Sequence, residues 1–128
     1  MSRSKSKGPK PVAVFDFDGV IHSYTSGWRG ANVAWDPPVK GIREVIEQLR
    51  LVHGYKVVVL SARSNHPGGI QTIKNYLDQY EIYVDDVVTT KPAAKVTIDD
   101  RCICFHPREV STLLDRIVNF KPWNLGDL

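Results

Sequence analysis

The chain has 128 residues, enough for one compact domain that buries about two-thirds of the surface its unfolded form exposes. Its longest apolar runs are far shorter than the roughly 20 residues needed to cross a bilayer, and the opening MSRSKSKGPK has no apolar region behind its positive charges, so a soluble, cytoplasmic protein is expected, without a membrane partner. A net charge of +3 is weak ground for a nucleic-acid surface: Arg3, Lys5, Lys7 and Lys10 carry four of the positive charges, no acid precedes residue 11, and the remainder stands at −1. Residues 1–10 read as a basic flexible tail and residues 11–128 as a single domain.

VAVF (12–15) is a short aliphatic run of the kind that forms a buried strand, and it ends abruptly in Asp16-Phe17-Asp18-Gly19. A helix is predicted over 38–52, where Val39, Ile42, Val45, Ile46, Leu49 and Val52 recur at threes and fours, with Asp36 and two prolines as its start signal. KVVVL (56–60) reads as a second strand, ending in Ser61-Ala62-Arg63. A helix over 69–80 puts Ile70, Ile73, Tyr76, Leu77 and Tyr80 on one face. YVDDVV (83–88) leads into Thr89-Thr90-Lys91, and KVTI (95–98) ends in Asp99-Asp100-Arg101. CICF (102–105) reads as a short edge strand whose Cys102 and Cys104, too close for an easy disulfide, are two small buried thiols. The last helix, 107–119, opens at Pro107 and aligns Val110, Leu113, Leu114 and Ile117. Alternating strands and helices imply an α/β fold, a three-layer Rossmann-like sandwich around a central, mainly parallel sheet of about five strands.

In such a sheet the carboxyl ends of the strands face one crevice. Residues far apart in the chain then become neighbours: four carboxylates (Asp16, Asp18, Asp99, Asp100), the Ser61 hydroxyl, Lys91, Arg63 and Arg101. Carboxylates gathered in one place repel and raise each other's pKa, so a cation belongs among them, and hard oxygen ligands suit Mg²⁺. Phosphoryl transfer needs these groups: a nucleophile in line with the leaving oxygen, a proton donor, and positive charge over the phosphoryl oxygens. Asp16, at the strand tip, is placed to attack phosphorus and form an acyl phosphate. Asp18, two residues on, is placed to serve as acid and base, and Gly19 lets the backbone turn and approach the substrate. Asp99 and Asp100 complete the metal shell, Lys91 neutralises charge, and Ser61 with nearby backbone N–H groups, including that of Ala62, holds phosphoryl oxygens.

These residues resemble the haloacid dehalogenase (HAD) superfamily of Mg²⁺-dependent phosphohydrolases over about residues 12–106. VAVFDFDGV is similar to its first motif, which implies Asp16 as nucleophile, Asp18 as acid and base, and the Asp18 carbonyl on the metal. VVVLSAR resembles the second motif and marks Ser61; TTKPAAK resembles the third and marks Lys91; VTIDDR resembles the fourth and marks Asp99 and Asp100. Lys95 is the alternative to Lys91, but it precedes its strand and so belongs to the far end of the sheet. Asp99, first after its strand, is favoured over Asp100 as the direct ligand. Only about 20 residues separate Ile21 from the first helix, and about 30 separate Ser61 from Lys91, which leaves no room for the cap domain of many relatives.

A capless crevice suits a large substrate or a site covered by a second subunit of a homo-oligomer. The flap after the first motif carries His22, Tyr24, Trp28, Arg29 and Trp35, aromatics able to stack on a base with Arg29 meeting a phosphate. Arg63 and the loop 64–69 offer a further substrate contact. The DDR sequence and small size are similar to the phosphatase domain of polynucleotide kinase, although the chain has no phosphate-binding kinase loop. The expected activity is a phosphatase on nucleotides or polynucleotide ends. Two alternatives remain: a non-enzymatic phospho-acceptor, and a nucleic-acid-binding module of the same fold.

Overall fold

The computed structural model describes residues 8–123, so most of the expected basic tail lies outside the described residues. Four short strands carry the fold: β1 (Val12–Phe15), β2 (Lys56–Leu60), β3 (Asp86–Val88) and β4 (Val96–Ile98). They form one fully parallel sheet in the order β3-β2-β1-β4. The register sets Phe15 level with both Val59 and Ile98, so β1 and β4 end flush and β2 runs one residue further, to Leu60. The Asp16 amide extends the β1–β4 ladder by donating to the Ile98 carbonyl at 2.9 Å.

Three α-helices accompany the sheet: α1 (Ile42–Leu51), α2 (Gly69–Gln79) and α3 (Val110–Val118). Ala13, Phe15, Val57 and Val59 in the strands pack with Ile46 of α1 and Ile73, Tyr76 and Leu77 of α2, closed off by Phe17, Ile21 and Ile82. The α2 stripe is therefore core, as its spacing predicts, and so are Ile42, Ile46 and Leu49 of the α1 stripe, whereas Val45 and Val52 stay exposed. No helix of the described residues is long and apolar enough to cross a membrane.

Four sequence expectations are corrected. The sheet has four strands rather than about five, because 102–105 forms no strand and both cysteines are exposed. Helix α1 begins at Ile42, not 38: Gly41 enters it in the left-handed region at φ 87°, and Asp36 spends its carboxylate on the Ser26 amide and hydroxyl instead of capping a helix. Strand β3 begins at Asp86, since the Asp85 carboxylate accepts from the Val57 amide at 2.7 Å and pairs with Arg50. Helix α3 starts after a 3₁₀ turn over Pro107–Glu109 and buries none of its residues; Val110, Leu114, Ile117 and Val118 all stay exposed.

Candidate active site

The flush strand ends bring Asp16, after β1, beside Asp99 and Asp100, after β4. Each of the three offers a carboxylate oxygen within 4.8 Å of the others. Asp16 responds strongly: burial, then the charge of Asp99 and the proximity of Asp100, push its carboxyl up to about 8, against the opposing pull of the Phe17 amide. Burial likewise raises Asp100. Both Asp100 oxygens are buried, and neither has a hydrogen-bond donor among the described residues. An acceptor-only group left in that state costs free energy of about 1–3 kcal/mol or more. A cation among three hard oxygen donors removes that cost, so the triad fits a metal ion.

Gly19 makes this packing possible. It sits at φ +85°, and a β-carbon there would overlap the Asp100 carboxylate. The loop around it is tight: the Phe17 carbonyl accepts from the amides of Ile21 and His22, each at 2.9 Å, and Gly19 donates to the His22 carbonyl at 2.8 Å. From the far end of the chain, the Trp123 indole donates to the Gly19 carbonyl at 2.8 Å.

The Asp18 carboxylate stands outside the triad. It accepts from Arg63 Nε at 2.8 Å and Nη2 at 3.0 Å, a bidentate pair, and from His22 Nδ1 at 2.8 Å. Because the Asp36 amide donates to His22 Nε2 at 3.1 Å, Nε2 is the acceptor nitrogen and the imidazole proton lies on Nδ1, facing Asp18. Burial alone would raise Asp18; the hydrogen bonds from His22 and Arg63 outweigh it and hold the carboxyl below its ordinary value.

Arg63 was expected to touch substrate, and the structure corrects that. It is 0% exposed, and its third guanidinium nitrogen, Nη1, donates to the carbonyls of Gly30, Ala31 and Val33 at 2.8–3.1 Å. The side chain thus ties the end of β2 to Asp18 and to the flap. Its amide donates to Ser61 Oγ at 3.1 Å, which leaves the Ser61 hydroxyl proton free to point elsewhere.

Above the triad opens a cavity of about 590 Å³. Asp16, Asp18, Asp99, Ser61 and Ala62 line it, as expected for one strand-end site. Arg101, expected among the strand-end groups, lines it too, as do Asn65 of the 64–69 loop and two of the flap aromatics, Tyr24 and Trp28. Two expected contributors are elsewhere. Arg29 is exposed, its guanidinium 5.4 Å from the Trp35 ring, and does not line the cavity. Lys91 lies beyond the end of β3, on the same sheet edge, but is exposed and makes no ion pair with the aspartates among the described residues. Lys95 sits at the opposite end of the sheet, against the Tyr55 ring, as its place before β4 implies.

Two solved chains share this architecture. One, in the Pnkp1/Rnl/Hen1 complex, is 20% identical with a TM-score of 0.55; the other, in the Pnkp1/Rnl/Hen1 RNA repair complex, is 20% identical with a TM-score of 0.54. Each match covers 91% of this chain, which spans only 37% and 34% of the lengths of the two matched chains. The likeness is one of fold. No family model matches the chain, and no curated protein matches its sequence.

Proposed function

We propose that the chain is a Mg²⁺-dependent phosphomonoesterase of the haloacid dehalogenase type, acting on nucleotides or polynucleotide ends. The observation that carries this reading is the triad itself: a carboxyl raised to about 8 on a strand tip, beside an Asp100 whose two buried oxygens have no donor among the described residues, at the floor of an open cavity. Asp16, Asp99 and Asp100 would hold Mg²⁺, with the Asp18 carbonyl as a further ligand; the ion would supply positive charge against the phosphoryl oxygens and the nucleophile's neighbours.

Asp16 attacks phosphorus through a carboxylate oxygen, forming an acyl phosphate as the bond to the leaving oxygen breaks. Asp18 gives that oxygen its proton and later takes one from the attacking water. Held ionised by Arg63 and His22, Asp18 is ready for the second role. For the first it must gain a proton, which an arriving phosphate dianion favours by raising its pKa. Ser61 donates its free hydroxyl proton to a phosphoryl oxygen, and the Ala62 amide and Gly19 shape the same wall. Lys91 and Arg101 supply the cations, Lys91 by swinging inward from its exposed position. The likeness in fold to chains of an RNA repair complex supports phosphorylated nucleic-acid ends as the substrate class.

The test is phosphate release from mononucleotides and from oligonucleotides phosphorylated at either end, with Mg²⁺ or EDTA. Turnover should require Mg²⁺, vanish in D16N and leave an acid-stable-to-quench phosphoprotein in D18N. Turnover that survives D16N would overturn the assignment.

A further inference from the structure

Trp28 is held in an unusual way for a residue that only packs a loop. Its ring lies over the guanidinium of the fully buried Arg63, 5.0 Å from Cζ to ring centroid, and meets the His66 ring at 5.9 Å. Yet the side chain remains 51% exposed and lines the cavity. One aspect of the indole is thus fixed against a buried cation, and the rest is left open above the aspartates. Arg63 is also the residue that fixes Asp18, so a single side chain sets the position of the ring relative to the reacting end.

Tyr24 stands on the same wall. Its backbone is in the left-handed region at φ 63°, a conformation rare for an aromatic residue and one that persists only where the surroundings impose it. The surroundings are visible: its carbonyl accepts from the Gly27 amide at 3.1 Å, and its ring meets His22 edge-on at 6.1 Å. A cavity of about 590 Å³ falls within the range of roughly 300–1,000 Å³ that small-molecule ligands occupy. Its floor is acidic and polar and its rim aromatic, which matches a ligand with a phosphate at one end and a flat ring at the other.

We propose that Trp28, pinned by Arg63, is the stacking platform for the base of the nucleotide that carries the phosphate, with Tyr24 bounding the same subsite. This rests on the phosphomonoesterase reading and assigns its specificity to the flap. Arg29, turned onto Trp35, takes no part.

The experiment compares two oligonucleotides with the same terminal phosphate, one with a normal terminal nucleotide and one with an abasic end. Base stacking on an aromatic side chain predicts that the wild type prefers the normal end about 5-fold or more in kcat/KM. W28A should bring that ratio close to one, and W28F should restore most of it. A wild-type ratio near one, or a W28A loss that is equal for both ends, overturns the proposal, and the wild-type comparison stands even if W28A folds poorly. Should no substrate turn over, the same pair is measured by fluorescence polarisation on D16N with Mg²⁺. Base-dependent binding lost in W28A then supports the platform while the catalytic reading falls; binding indifferent to the base overturns the platform as well.

Discussion

Replacing Asp16 by Asn removes a group that destabilises the metal-free fold. Its folded carboxyl titrates near 8, against an ordinary value of 3.8. As pH rises the unfolded chain loses this proton first, so the contribution to stability is intact below about 3.8 and declines steadily until about 8, where the folded state loses the proton too. At about 1.4 kcal/mol per pH unit, the full shift counted at pH 7 costs about 4 kcal/mol. The cavity admits solvent on one side of the carboxyl, which reduces the expected gain for D16N to about 2–4 kcal/mol. Urea unfolding in EDTA, followed from pH 5 to 8.5, should show D16N more stable than the wild type at pH 7, with a gap that widens with pH up to about 8. Parallel pH profiles and coincident midpoints would refute the cluster's electrostatics, whatever the enzyme's activity.

Other expectations follow from the same geometry. Mg²⁺ must displace the proton that Asp16 holds below about pH 8, so calorimetry in two buffers of different ionisation enthalpy should detect close to one proton released at pH 6.5 and almost none at pH 9.5. G19A forces a side chain into the left-handed region and onto Asp100; a stability loss of about 1–3 kcal/mol and weakened Mg²⁺ binding should appear together in melts and titrations. R63K keeps the charge but loses the fork that reaches Asp18 and three carbonyls at once. It should lower stability by about 3 kcal/mol, and a thermal midpoint equal to that of the wild type would show that the buried guanidinium is replaceable.

The strand runs and the helical stripes of α1 and α2 were legible because each signal is local: an aliphatic run, or apolar residues at threes and fours. Once the strands are taken as parallel, the convergence of Asp16, Ser61, Asp99 and Asp100 on one edge follows from topology. What stayed hidden depends on partners distant in the chain. Arg63 finds its acceptors about 30 and 45 residues away, and no pattern near SAR distinguishes a buried clamp from a substrate contact. Asp36 looked like a cap because it precedes two prolines, but Ser26 competes for its carboxylate. CICF has strand-like composition, yet only Ile103 is partly buried, so no face of that segment gains from pairing with β4.

The grip of Arg63 on the flap falls on main-chain oxygens of residues 30, 31 and 33. Every amino acid presents such an oxygen, so the attachment does not depend on which side chains that stretch displays. Drift at these positions would retune what overhangs the floor of acids while the anchorage survives, which separates evolvable selectivity from the chemistry beneath it.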